Sequence, residues 1–210
     1  MKKITKRHWI SFLLIVLFNI ASITFISGIG VPVLGILLCL CMIHFYLKEP
    51  FTEYGIHFRR IHMQLVSGLI LAVIILVLYG DYMFISWKEI PAMIHNFIDQ
   101  FPSSSFLILY LFSTLAYAAY EEVVFRGFLL SFFQKLLNGF WINIFINAFL
   151  FGISHYPLNH YIKQGFFSFI TGIIYGYLRA KEPERYTLFT LSVAHFINNV
   201  CVDLFVYKLI

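Results

Sequence analysis

Ala118-Ala-Tyr-Glu121-Glu122-Val-Val-Phe-Arg126-Gly127 lies between two apolar runs, residues 106–119 before it and 128–137 after it. Three ionisable groups therefore stand inside a segment that otherwise belongs in hydrocarbon. On insertion scales each charge near a bilayer centre costs about 2.5–3.5 kcal/mol, so two acids and an arginine need compensation. Helix geometry supplies part of it. Glu122 and Arg126 are four apart and share a face, with the glutamate in the better N-terminal position. Glu121 is turned by about 100° from its neighbour, so the same arginine cannot readily serve both acids. One acid is paired and one is spare. Either the cluster pins helices together, or the spare carboxylate is kept free for chemistry.

Composition sets the class. Of 210 residues, 60% are hydrophobic and 12% charged, and the mean hydropathy is +0.84. Several runs approach the roughly 20 apolar residues that span a bilayer. The expectation is an all-α, polytopic transmembrane helix bundle of six to eight spans. A net charge of +5 would point to nucleic acid in a water-soluble protein. Here the basic residues bracket apolar runs and read as topology signals, so no nucleic-acid partner is expected. Cys39, Cys41 and Cys201 all fall within apolar spans with no CxxC, and read as packing residues.

From the N-terminus, Lys2, Lys3, Lys6 and Arg7 precede an apolar run at 9–26. That run exceeds the roughly 7–15 residues of a signal-peptide core and lacks a small-residue exit, so it is expected to be a retained first span. A Gly28-Ile-Gly-Val-Pro32 turn leads to a second span at 33–47, stopped by Lys48-Glu-Pro50. Residues 51–63 mix aromatics with charge and fit a short helix in the interface. His57 and His62, five apart with no acid between them, are not expected to bind metal. A third span is expected at 65–87, with Asp81 near its end, and a loop with a short surface helix at 88–105. The acid-bearing fourth span should kink near Gly127 or give way there to a separate helix. Further spans fall at 141–155, 165–177 and 188–207, with Pro157 ending or kinking the first of them. Residues 1–103 are expected to form N-terminal transmembrane helices and an interfacial segment, and 104–210 the core helices that carry the polar motifs, within one integral membrane domain. If seven spans alternate, the N-terminal basic residues, Lys48/Arg59/Arg60 and Arg179/Lys181/Arg185 share one side. Lys88, Lys163 and Lys208 take the other, which puts the N-terminus in the cytoplasm.

Polar residues converge inside these spans. Asn143, Asn147, Phe151 and His155 recur every four residues as one inward stripe. His195 and Asn199 share another face, with Asp203 one turn further. A carboxylate and an imidazole can activate water for attack on a carbonyl, while a second histidine and an amide can donate to the developing oxyanion. Alternatively Glu121, His155 and His195 could hold Zn²⁺ with an open position for water. Both schemes hydrolyse an amide. HExxH and G-x-S-x-G are absent, and Ser154 beside His155 does not by adjacency place its hydroxyl on the ring. Gly172 and Gly176 form a GxxxG face expected to serve close helix packing.

The ordered set Glu121-Glu122-Val-Val-Phe-Arg126, Phe151-Gly-Ile-Ser-His155, Phe169-Ile-Thr-Gly172-Ile-Ile-Tyr-Gly176 and His195-Phe-Ile-Asn-Asn199 resembles the CPBP family of intramembrane proteases. This is the CAAX protease, bacteriocin-processing or Abi family, marked by EExxxR, FxxxH, a glycine-bearing helix and HxxxN. The resemblance covers residues 104–203, about half the chain. It implies an endopeptidase in the cell membrane acting on a membrane-associated peptide or protein; the small size and compact loops look bacterial, and for a bacterial member the resemblance implies bacteriocin maturation or self-immunity. Glu121 would activate water with His155 as partner. His195 and Asn199 would stabilise the oxyanion or help hold a metal, and Glu122 with Arg126 would brace the site. The resemblance leaves a zinc enzyme and a metal-free glutamate enzyme equally open. Two other classes compete. One is a non-catalytic immunity or scaffold protein that binds a peptide in the same cavity. The other is a transporter with a proton relay, which the lack of an inverted repeat disfavours.

Overall fold

Every residue from Val123 to Leu129 is buried, although the segment lies in the middle of a 33-residue helical rod, Ser104–Leu136. A membrane helix usually leaves one face to lipid, and one apolar all round belongs in the middle of a bundle. This segment is π-helical. The computed structural model describes residues 4–25, 30–78, 90–159 and 162–206, which form helices and connecting turns without a strand. In chain order the helices are α1 (Lys6–Phe25), α2 (Gly30–Cys41), α3 (Ile61–Leu78), α4 (Ile90–Asp99), α5 (Ser104–Glu122), α6 (Leu130–Leu136), α7 (Phe140–Asn159), α8 (Ile162–Lys181) and α9 (Leu188–Val206). A π-helical turn, Met42–Leu47, extends α2, and the π-helical Val123–Leu129 joins α5 to α6. Gly30–Leu47, Ile61–Leu78 and Ser104–Leu136 are long and apolar enough to cross a membrane, and Phe140–His155 and Leu188–Leu204 are shorter apolar helices. The chain is an all-helical membrane protein.

Several boundaries differ from those expected. Around Gly127 the acid-bearing helix takes π geometry and then continues as α6. Pro157 does not stop α7, which runs on to Asn159. The interfacial helix expected at 51–63 is only a 3₁₀ turn, Phe51–Tyr54, closed by Gly55 at φ 79°. The backbone then turns again at Arg60, φ 53°, before α3 begins. Gly55 is required twice over, because a Cβ there would also lie 2.3 Å from Arg179 Nε. The expected continuation of the third span through Asp81 lies outside the described residues. The surface helix foreseen between 88 and 105 is α4, which buries Met93 and Phe97 and leaves Ile94 and Ile98 exposed.

Two apolar cores hold the bundle. The larger joins Ile15, Cys39 and Ile43 of the N-terminal helices to Tyr120, Phe128, Phe132 and Phe151. The smaller packs Leu71 and Ile75 of α3 against Tyr175, Leu191 and Ala194. Helix α8 lies directly on α7: a Cβ on Gly172 would stand 2.9 Å from the Ala148 Cα. The GxxxG face is thus a packing face, as its spacing implies.

The turn after α2 ties one end of the bundle together. Thr5 N–H donates to His8 Nδ1, so the ring proton sits on Nε2, which donates to Glu49 at 3.3 Å. Glu49 also takes hydrogen bonds from Tyr54 and Lys135, the latter at the end of α6. The Glu53 carbonyl accepts from Ser131 and Arg179, and the Gly55 carbonyl from the Leu188 N–H that starts α9. Burial pushes the Glu49 carboxyl up, but Lys135, Tyr54 and His8 outweigh it and hold the group below its ordinary value.

Two outcomes follow. Gly172→Ala should destabilise the protein by about 1–3 kcal/mol, because the added methyl meets backbone that cannot yield; thermal unfolding in detergent measures it. A carboxyl depressed in the folded state stabilises above its unfolded value and loses that contribution as pH falls through the folded one. Thermal stability should therefore decline as pH drops below 4.5. Glu49→Gln should lower stability at neutral pH and flatten that acid limb.

Candidate active site

Helix α5 delivers Glu121 and Glu122 on adjacent faces, and the structure separates them as the spacing requires. Glu122 is completely buried, and its Oε1 accepts from Arg126 Nη1 at 3.3 Å and from His195 Nδ1 at 2.8 Å. Arg126, also buried, lies 3.9 Å from the centre of the Phe151 ring and 5.5 Å from that of Tyr175. The guanidinium is thus held by one carboxylate and two aromatic faces, an arrangement that compensates a buried cation. Glu121 has no contact with Arg126. Its Oε2 is buried and makes no hydrogen bond, standing 3.5 Å from His195 Nε2 and 3.7 Å from His155 Nε2.

Both imidazoles are oriented from behind. His155 Nδ1 is 2.8 Å from the Phe151 carbonyl oxygen, one helical turn earlier. A carbonyl can only accept, so Nδ1 carries a proton and Nε2 points at Glu121. His195 donates from Nδ1 to Glu122, and its Nε2 likewise points at Glu121. When both rings are neutral, two lone pairs face one carboxylate. That grouping is stable only if a donor such as water bridges it or one ring takes up a second proton. The three atoms are therefore placed to hold a water and share its protons. Ser154 donates to the Phe151 carbonyl and lies on the Nδ1 side of His155, away from Glu121.

Glu121, His155 and Asn199 line a cavity of about 610 Å³ between α5 and α9. His195 is buried beside it and reaches Glu121 Oε2 with its Nε2 at 3.5 Å. Asn198, next to Asn199, turns the other way and donates to the Tyr175 hydroxyl at 3.1 Å. The α7 stripe faces inward as expected, with Asn143, Asn147 and Phe151 buried, and Asn147 donates to the Phe125 carbonyl of the π-helical segment at 2.7 Å. The structure thus brings Glu121, Glu122, Arg126, His155 and His195 into one network, with Asn199 on the same cavity. Tyr175 was not apparent from sequence as a member of that network. It lies in the glycine-bearing helix between Gly172 and Gly176, and only the tertiary arrangement shows its ring beside Arg126 and His195.

The donor chemistry of Glu121, His155 and His195 suits zinc, and both histidines have their second nitrogen anchored as ligands do. The placement does not: among the described residues no group of three or more His, Cys, Asp or Glu side chains is arranged to hold a metal ion. No catalytic step is assigned to one.

A family model described as type II CAAX prenyl endopeptidase Rce1-like matches residues 103–201. Over these residues the chain is similar to the Rce1-like family. The matched segment begins just before α5 and ends two residues beyond Asn199, so it encloses every residue of the network. This agrees with the CPBP resemblance carried by the four motifs. No curated protein and no solved structure matches the chain.

The shared carboxylate predicts a hierarchy of mutants. Removing one partner of a buried ion pair strands the other, at about 3–5 kcal/mol. Glu122→Ala and Arg126→Ala should therefore lower folded yield and unfolding temperature more than Glu121→Ala, whose carboxylate bonds to neither. Equal losses in all three mutants, measured in detergent, would contradict the division of roles.

Proposed function

We propose that the protein is an intramembrane endopeptidase that hydrolyses a peptide bond in a membrane-associated peptide or protein. The observation that carries this reading is the Glu121 carboxylate. Its Oε2 is buried, makes no hydrogen bond, and faces two histidine Nε2 atoms at 3.5 and 3.7 Å on the wall of a cavity. A bundle brace has no need of a second, unbonded acid beside a paired one.

In this mechanism Glu121 takes a proton from water held among Glu121, His155 and His195, and the resulting hydroxide attacks the scissile carbonyl. His195, protonated on both nitrogens and backed by the Glu122 carboxylate, donates from Nε2 to the oxyanion. The Asn199 amide is a second donor. The proton that Glu121 took from water passes to His155 Nε2 and from there to the leaving amine as the tetrahedral intermediate collapses, which restores both groups. The low-dielectric bundle around the site strengthens each of these interactions. Arg126 and Phe151 touch no reacting atom; they hold Glu122 and the His155 backbone in place. The match to that family model supports the peptidase class, and bacteriocin processing or self-immunity is the role proposed if the protein is bacterial.

Glu121→Gln should abolish cleavage of membrane peptides by the purified protein while leaving peptide binding largely intact, since the amide keeps the shape and loses the base. Asn199→Ala should cost about 10²–10³ in rate. Activity of this mechanism should survive a chelator that reaches the cavity; loss on chelation with recovery on adding Zn²⁺ would instead make Glu121, His155 and His195 metal ligands. If Glu121→Gln still protects its host fully in cells, a peptide-binding immunity protein is the better description.

A further inference from the structure

The cavity does not end at Glu121. It extends along α5 and α9 to Tyr110 and Asp203, which hydrogen-bond to one another across the two helices. Helices α5 and α9 run antiparallel, since Glu122 meets His195 at one level and Tyr110 meets Asp203 at the other. Asp203 is eight residues beyond His195, and Tyr110 eleven residues before Glu121. At 1.5 Å per residue, this puts the far end about 12–16 Å from the water-holding group.

That end has an unusual charge balance. Asp203 is partly buried, and among the described residues its sole polar partner is a neutral phenol. None of the described residues lining the cavity is lysine or arginine, whereas Glu121 and Asp203 are both acidic. Phe101, Phe106, Tyr110 and Tyr117 supply aromatic walls, and aromatic faces attract cations. A carboxylate in such surroundings, answered only by a hydroxyl, is incompletely compensated. The matched family segment ends at residue 201, before Asp203.

We infer that Asp203, with Tyr110, forms a subsite that binds a positively charged group of the substrate, a lysine or arginine side chain or a terminal ammonium. This rests on the peptidase reading of Glu121 for the term substrate, though the binding itself does not. An extended peptide advances about 3.3–3.6 Å per residue, so a chain whose scissile bond lies at Glu121 places its basic group about three to five residues away. The rival explanation is that Asp203 and Tyr110 merely tie α5 to α9.

The test uses the full-length Glu121→Gln protein in detergent and fluorescent apolar peptides of leucine and alanine. Each peptide carries a single lysine, norleucine or glutamate at one central position. Binding should favour lysine over norleucine by about 10- to 100-fold, as expected of a charge-assisted hydrogen bond, and glutamate should be weakest. Adding Asp203→Asn, which still accepts from Tyr110, should erase the lysine preference, and adding Asp203→Lys should invert it toward glutamate. Tyr110→Phe should keep the order. A structural tie predicts the opposite pattern: the lysine, norleucine and glutamate peptides keep one ranking in every folded variant, and that result would overturn the proposal. Because the readout is affinity, it is independent of cleavage. Failure of the wild-type protein to cut any of these peptides would count against the peptidase reading alone.

Discussion

One carboxylate oxygen, Glu122 Oε1, receives both Arg126 and His195 in a site closed to solvent. The rest of the active-site region depends on this shared acceptor. It links α5 to α9, sets which nitrogen of His195 carries its proton, and holds the Arg126 guanidinium over Phe151. A buried ion pair contributes little net stability over apolar packing, but losing either partner is costly. The network therefore fixes geometry more than it adds stability. What it fixes is the position of two imidazole edges relative to Glu121, the geometry that the proposed water activation needs.

The N-terminal helices contribute to this geometry from the opposite end of the bundle. Glu49 gathers His8, Tyr54 and Lys135, while the carbonyls of Glu53 and Gly55 hold Ser131, Arg179 and Leu188. The turn at 49–55 thus touches α1, α6, α8 and the start of α9 together.

Much of the site was legible in the sequence because it depends on helical period. The four-residue steps from Glu122 to Arg126, from Asn143 to His155 and from His195 to Asn199 survive intact in the structure. So does the separation of Glu121 from its neighbour. What could not be read was whatever depends on long-range contact. Tyr175 looks like an ordinary aromatic in a glycine-bearing helix until Arg126 is placed beside it. The interfacial helix expected over 51–63 does not form because left-handed backbone at Gly55 and Arg60 overrides the local amphipathic character. The π-helical turn was invisible for a different reason: apolar composition is the same whether carbonyls bond four or five residues ahead.

That turn acts as a phase shifter within a single rod. An i→i+5 segment fits more residues into a turn than an ordinary helix does, so α6 leaves it rotated relative to the direction α5 would have set. The two halves of the rod thus answer to different partners. The Glu121/Glu122 end is indexed to α9 and α7, and the Ser131/Lys135 end to the 49–55 turn. Winding residues 123–129 as an ordinary helix, with none removed, would leave composition and hydropathy unchanged. It would also turn one end by about 100° against the other. The acids or the anchoring lysine would then face the wrong neighbours, although every residue named in the network would still be present.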